Sequence, residues 1–243
     1  YELRVLTFED ADYKGGTNFA GGNNWTSLID SPQYGGKMLQ MESELAVSSA
    51  LAGAACTGML CATSSSGPGM TLMQEAISFM CGAELPCLML DSMRVGPGDG
   101  DILGAQSDYY MSTRGGGHGD YHVPVLAPSD GQEIVDLVPE GIRLAYTYRT
   151  PVLFVFDGVT AQTTETAVLP EYHSAEYDTS SWAYTGTKDH PKRALITGSY
   201  SHADGYVMNE HLRAKYETIR AKEQQWKESN AEDAELIVVA FGI

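Results

Sequence analysis

Between residues 41 and 75 the chain reads MESELAVSSALAGAACTGMLCATSSSGPGMTLMQE, and that run admits few architectures. A short apolar lead-in ends in two carboxylates, Glu42 and Glu44. Ser43 is a good N-cap, and Glu44 falls in the first turn, where a carboxylate faces the positive end of a helix. Ala46, Ala50, Gly53 and Ala54 then share one helical face of small residues, which lets another backbone come close. Gly58 stops the helix. Residues 59–62 read as a short buried strand, Gly67-Pro68-Gly69 as a tight turn, and 70–81 as a second helix. Two close-packed helices around a buried strand are α/β architecture. Open α/β sheets take their ligands at strand ends.

The alternation continues downstream. Residues 85–93 form an apolar strand, and 94–121 a long glycine-rich segment with one helical turn around 106–111. Its length and glycines mark a functional loop. Residues 121–126 predict a strand. Residues 132–148 predict a helix that Pro139 kinks or breaks. Residues 152–156 are the most β-rich strand, with Asp157 just past its end. Residues 161–191 are polar and turn-rich and wrap the surface. A charged helix follows over 208–229 and an apolar strand over 235–241. The predicted fold is a mainly parallel sheet with helices on both faces.

The 243-residue chain carries a net charge of −17, which disfavours nucleic acid and anionic membranes as partners. No run is long and apolar enough to span a membrane. Cys56, Cys61, Cys81 and Cys87 form no C-x-x-C pair and sit in apolar segments. They read as reduced, buried thiols in a cytoplasmic protein, with no zinc or iron–sulfur site and no metal on this chain. The G-x-S-x-G elbow and the H-E-x-x-H helix are both missing from the sequence.

Several residues are candidates for chemistry, each with a plainer alternative. Glu44, at a strand–helix junction, is either a buried acid or a carboxylate serving the helix dipole, and the residues alone favour the latter. Glu42 is the weaker of the two acids, because it belongs to the strand end and points away. Arg94 closes the 85–93 strand. Its guanidinium can grip a carboxylate by two parallel hydrogen bonds, or pair with Asp91, Asp99 or Asp101 at the surface. Residues 64–69, SSSGPG, resemble an anion-cradling turn without the lysine of a Walker loop, and more simply shape a pocket floor through Ser65, Ser66 and Gly67. His118, in GGGHGD, is a loop histidine of the kind more often found at the surface.

The ordered motifs MESE, ATSSSGPGMTLMQE, GAELPCLMLDSMRVGPGDG, QSDYY, GGGHGDY, LAPSDGQE and YRTPVLFVFDG resemble the pyrimidine-binding domain of the α subunit of 2-oxoacid:ferredoxin oxidoreductases. The branched-chain, 2-ketoisovalerate type is nearest. The likeness covers residues 38–243. It implies oxidative decarboxylation of a 2-oxo acid to acyl-CoA, with thiamine diphosphate shared with a partner β subunit and electrons passed to a ferredoxin-like subunit. It implies that Glu44 faces N1′ of the aminopyrimidine and that Arg94 binds the substrate carboxylate. His118 would contact substrate or coenzyme A. Gly98-Asp99-Gly100 looks like the start of a Mg-diphosphate motif, but the next asparagine is Asn209, so Mg and iron–sulfur clusters are expected on partner subunits.

Residues 1–37 have a different texture, rich in glycine, asparagine and aromatics, with one alternating run over 3–8. The motifs LTFED and WTSLID-x-x-QYGG resemble the opening of a secreted Bacteroidetes β-sandwich family of unknown function. The Tyr-Pro-Ile-Thr-Pro motif that the oxidoreductases carry before MESE is not found. The expected organisation is therefore a foreign or chimeric β/loop segment over 1–37, an α/β domain over 38–230, and the start of a further domain over 231–243. The alternative functions are a secreted binding or adhesion protein, read from residues 1–37 only, and a non-catalytic structural subunit.

Overall fold

A computed structural model describes residue 39 and residues 41–169, 176–188, 191–198 and 201–243. The alternating run over 3–8, and half of the apolar lead-in over 38–41, lie outside these. At the centre is a parallel sheet of β1 (Ala62–Ser65), β2 (Cys87–Val95), β5 (Pro151–Asp157) and β4 (Val125–Leu126), side by side in that order. β3 (Asp101–Gly104) folds back antiparallel on the end of β2.

Strand alternation makes the core two-sided. Cys87, Met89 and Met93 of β2 join Leu153 and Val155 of β5 on one face, and there meet Leu51, Met70, Ile77 and Met80. Those partners belong to α1 (Glu44–Cys56), α2 (Pro68–Leu72) and α3 (Gln74–Ala83). Leu88, Val152 and Phe154 face the other way. They pack on Ile134, Val138 and Leu144 of α5 (Gly131–Tyr148). Helices on both faces of a mainly parallel sheet are what the alternation of motifs predicts.

The first helix begins where its cap says it should, with Ser43 Oγ accepting from the Ala46 N–H at 3.4 Å. The strand after it is displaced. Pairing with β2, from Ala62↔Leu88 to Ser65↔Asp91, sets its bounds, and Met59 is left 56% exposed. Backbone register therefore overrides the apolar run at 59–62. The next helix starts early, because Pro68 is preorganised for a first turn, and α3 carries it on to Ala83. The strand expected over 121–126 shrinks to Val125–Leu126. Pro124 has no N–H to give, and only its carbonyl joins the sheet, accepting from Leu153 at 2.9 Å.

Pro139 does not break α5, whose buried Ile134, Val138 and Leu144 hold both halves on the sheet. The charged helix is α7 (His202–Lys222), shifted toward the N-terminus because Ser201 caps it through the Asp204 N–H at 3.1 Å. The short α4 (Tyr109–Arg114) precedes α5, and the short α6 (Gly158–Gln162) lies between α5 and α7. Lys215 docks α7 beneath the sheet. Its Nζ donates to Glu84 Oε1 at 3.1 Å and to the Arg149 carbonyl at 3.3 Å, where α3 and α5 end. Burial raises the Glu84 carboxyl, but Lys215, with His211 and Arg149, outweighs it and leaves it below its ordinary range.

The surface segment that follows α6 anchors at aromatic rings. Tyr177 stacks on Tyr146 at 4.6 Å, and Trp182 lies 5.0 Å under the Arg149 guanidinium. The strand expected over 235–241 does not form. Leu236, Ile237, Val238 and Val239 are 80%, 65%, 81% and 91% exposed, with no partner strand among the described residues. Phe241 alone is tied down, its ring 5.1 Å from Tyr109 and its carbonyl accepting from Gln106 at 3.0 Å.

Candidate functional site

The carboxyl end of β1 and the start of α1 meet over two glycines. Gly67 takes φ +40°, a left-handed backbone that suits glycine, and turns the chain from β1 into α2. A Cβ on Gly67 would lie 3.3 Å from Arg94 Nε, so the arginine side chain runs across this turn. At Gly69 a Cβ would lie 2.1 Å from Ser65 Oγ and 3.1 Å from Glu44 Oε1. The missing side chain thus makes the niche into which Glu44 and Ser65 fit. The structure brings Glu44, Ser65, Gly67, Gly69 and Arg94 together from three stretches of the sequence. Ser66 belongs to the same turn, its carbonyl accepting from the Gly69 N–H at 2.9 Å.

Glu44 is half-buried, whereas Glu42 is exposed. Helix α1 turns the second acid inward and leaves the first in solvent. Arg94 forms no ion pair with Asp91, Asp99 or Asp101 among the described residues, and its Nε is buried without a partner. Its backbone carbonyl accepts from Ser107 Oγ, which pins the glycine-rich loop at the strand end. Asp108 follows there. Burial pushes its carboxyl up, against the opposing pull of the Arg94 amide and charge.

His118 lies elsewhere. Its side chain is exposed, and its carbonyl accepts from Ser78 Oγ of α3 at 2.5 Å. The Gly116 N–H donates to Gln74 Oε1 at 3.0 Å, and Tyr121 OH donates to the same atom at 3.0 Å. The GGGHGD motif is therefore a clasp on α3, and the printed contacts of His118 do not reach Glu44 or Arg94. Asp157 is spent as a cap on α6, accepting from Val159 N at 2.6 Å and Thr160 N at 3.0 Å.

The four cysteines are free thiols, Cys81 and Cys87 buried, Cys56 and Cys61 half-buried. Burial pushes Cys61 and Cys81 up to about 12, which leaves them unreactive. Among the described residues no group of three His, Cys, Asp or Glu side chains is placed to hold a metal, and no helix is long and apolar enough to cross a membrane. One residue of the site was not singled out as such by the sequence. Asp91, in the middle of β2, is 0% exposed. The available signal was a lone acid inside the apolar run LPCLMLDSM.

An acid and an arginine meet over glycine turns at the strand ends of a parallel sheet, the place where open α/β domains take their ligands. The chain belongs to the family described as pyruvate flavodoxin/ferredoxin oxidoreductase, thiamine diphosphate-binding, whose model matches residues 24–232. It is 42% identical over 213 residues to the ketoisovalerate oxidoreductase subunit VorB of Methanothermobacter marburgensis, covering 87% of this chain and 60% of that protein. It is 34% identical to the 2-oxoglutarate synthase subunit KorA of Archaeoglobus fulgidus, over 74% of this chain and 49% of that one. Among solved structures it is similar to the 2-oxoglutarate:ferredoxin oxidoreductase from Magnetococcus marinus with 2-oxoglutarate, coenzyme A and succinyl-CoA bound. That likeness has a TM-score of 0.66 and 26% identity, over 80% of this chain and 39% of that one. The chain spans about 60% of the length of the ketoisovalerate subunits it matches. The family match supports the oxidoreductase reading and not the β-sandwich adhesion alternative; it begins at residue 24, ahead of the boundary placed at residue 38.

Proposed function

We propose that this chain is the pyrimidine-side α portion of a thiamine-diphosphate-dependent 2-oxoacid:ferredoxin oxidoreductase. The reaction converts a branched-chain 2-oxo acid and coenzyme A to acyl-CoA and carbon dioxide and reduces ferredoxin. The observation that carries this reading is the seating of Glu44 against Gly69 and Ser65, beside an arginine whose Nε is buried without a hydrogen-bond partner. The donor set fits the pyrimidine end of the cofactor. A single half-buried acid is suited to hold a proton at a ring nitrogen, and the glycine turn lets a flat ring approach the backbone. Thiamine diphosphate, when bound, supplies the electron sink that no side chain offers for releasing carbon dioxide.

The chain's own residues do the rest. Glu44 holds the proton at N1′. Arg94, with Nε buried and free, takes the substrate carboxylate by paired hydrogen bonds. Ser65, Ser66 and Gly67 form the floor. His118 is assigned to the outer rim, toward substrate or coenzyme A. Mg, the diphosphate and the iron–sulfur clusters are assigned to a β subunit and a ferredoxin-like subunit, and the complex to the cytoplasm. We further assign residues 38–230 to the pyrimidine-binding-type α/β domain.

The test is Glu44→Gln in the complex assembled with its partner subunits. Turnover of a branched-chain 2-oxo acid, and hydrogen–deuterium exchange at C2 of the bound cofactor, should each fall about 10²–10⁴-fold, the usual worth of a general acid–base group. Cofactor affinity should change much less, and Glu42→Gln should behave as wild type. Wild-type exchange in Glu44→Gln would remove Glu44 from the chemistry.

A further inference from the structure

The acid that the site leaves unused is Asp91. It sits in the central strand, in register with Ser65 on one side and Val155 on the other, and is 0% exposed. Neither carboxylate oxygen has a hydrogen bond of ordinary geometry among the described residues. The groups facing it are few. The Gly67 amide favours its charged form, and the Asp108 carboxylate, brought in by the glycine-rich loop, opposes it. From β1 and β5 its neighbours in register are a serine and a valine, neither of them ionisable. Arg94, three residues along its own strand, lies beyond the Gly67 turn and acts on Asp108.

A buried carboxylate with no paired cation and a single backbone amide beside it is costly to keep ionised, so it holds its proton well above the ordinary carboxylate range. Burial first, then Asp108, pushes Asp91 up to about 8. The consequence reaches Arg94 through Gly67 and Asp108. While Asp91 is neutral, Asp108 alone of the two acids sets a negative charge beside the arginine. Once it ionises, two negative charges stand behind the turn that Arg94 crosses, and the field there turns against an incoming carboxylate.

We propose that Asp91 is a positioning residue for substrate binding: held as a neutral acid beneath the Gly67 turn, it keeps the charge of Arg94 available to the carboxylate of a 2-oxo acid. This rests on the function proposed above. It assigns to a residue without substrate contact the control of how substrate binding depends on pH. The sign follows from the acid's chemistry. Deprotonation at alkaline pH weakens substrate binding, so KM rises as pH passes upward through about 8, while kcat at saturating substrate changes little.

The test uses the assembled holoenzyme. KM and kcat for a branched-chain 2-oxo acid are measured from pH 6.5 to 9.5 in wild type, Asp91→Asn and Asp108→Asn. Wild type should show KM rising about tenfold across the alkaline limb, and Asp91→Asn a flat KM at the low value. Asp108→Asn should move the limb to lower pH, because the negative neighbour that raises Asp91 is gone. Infrared spectroscopy of the wild-type complex carrying ¹³C-labelled aspartate, which needs no variant to fold, should show a protonated carboxyl band at pH 7 that fades by pH 9.5. Turnover with a flat wild-type KM, a limb retained in Asp91→Asn, or no protonated carboxyl band at pH 7 would each overturn the role of Asp91 and leave the function standing. No turnover of any 2-oxo acid by the wild-type complex would instead remove the function, and this role with it.

Discussion

Gly69→Ala is the substitution whose effect can be worked most directly from the structure. Gly69 sits in the first turn of α2, and its backbone does not demand glycine, so alanine should favour the helix by about 0.5–1 kcal/mol. The new Cβ, however, would stand 2.1 Å from Ser65 Oγ, 3.0 Å from Glu44 Cγ and 3.1 Å from Glu44 Oε1, where ordinary contact is 3.4–4 Å. The serine can rotate away about one bond. Glu44 must give by a few tenths of an ångström, and its carboxylate is the atom group that matters.

Overpacking of this kind costs about 1–3 kcal/mol, so the net loss of stability should be no more than about 2.5 kcal/mol. Activity should suffer far more. Misplacing a reacting group by about 1 Å can cost about 10²-fold, so a shift of a few tenths of an ångström should lower kcat and cofactor C2 exchange by about 10–10²-fold. Removing the first collision in a Ser65→Ala/Gly69→Ala double variant should restore stability but little of the activity, because the contact with Glu44 remains. The assay is turnover and C2 exchange in the assembled complex, with urea unfolding of each chain alongside. Wild-type exchange in Gly69→Ala would refute the niche as the seat of Glu44. So would a stability loss above about 4 kcal/mol, because the backbone and not Glu44 would then have absorbed the clash.

Stability should also report Asp91. Its folded pKa lies above its unfolded value of 3.8, so its contribution is complete below that value and is lost as pH rises toward about 8. At about 1.4 kcal/mol per pKa unit, wild type should lose up to about 5 kcal/mol between pH 4 and pH 8 from this group, and Asp91→Asn should not, as urea titrations at the two pH values would show. Lys215→Met should free α7, since Lys215 is 9% exposed and holds two helix ends; a loss of about 2–3 kcal/mol and faster amide exchange across residues 202–222 are expected, and unchanged exchange would show that packing alone docks the helix. His118→Ala should leave folding intact, because only its carbonyl is bonded, and an effect confined to the KM for coenzyme A or substrate would support its place at the rim.

Much of this fold is legible in the sequence because the signals are local. Ser43 and Glu44 mark a helix start, and the apolar runs of β2 and β5 mark strands buried on both faces. Where the sequence misleads, tertiary pairing decides. The polar run ATSS becomes β1 because its backbone pairs with Leu88–Asp91, and the apolar residues 59–61 before it do not. The apolar run at 236–239 remains unpaired because strand formation needs a partner that the described residues do not offer. Glu44 and Arg94 were legible through the motifs around them. Their union over Gly67 and Gly69 was not, because it depends on a close approach that only coordinates show. Asp91 entered the sequence reading only as one of three alternative surface partners for Arg94, since charge alone does not say which face of a strand a carboxylate occupies.

The exposed run at 236–239 has a consequence for how the chain behaves in a tube. Leu-Ile-Val-Val is a segment of high β propensity with free backbone groups, the kind that recruits a second copy edge to edge. Glu232, Asp233 and Glu235 stand directly before it, all exposed, and the whole chain carries −17. Like charges flanking such a run act as gatekeepers and keep copies apart over a distance that salt controls. Concentrated preparations of this chain should therefore stay clear in dilute buffer and turn turbid as ionic strength rises, the reverse of a protein held apart by hydration alone.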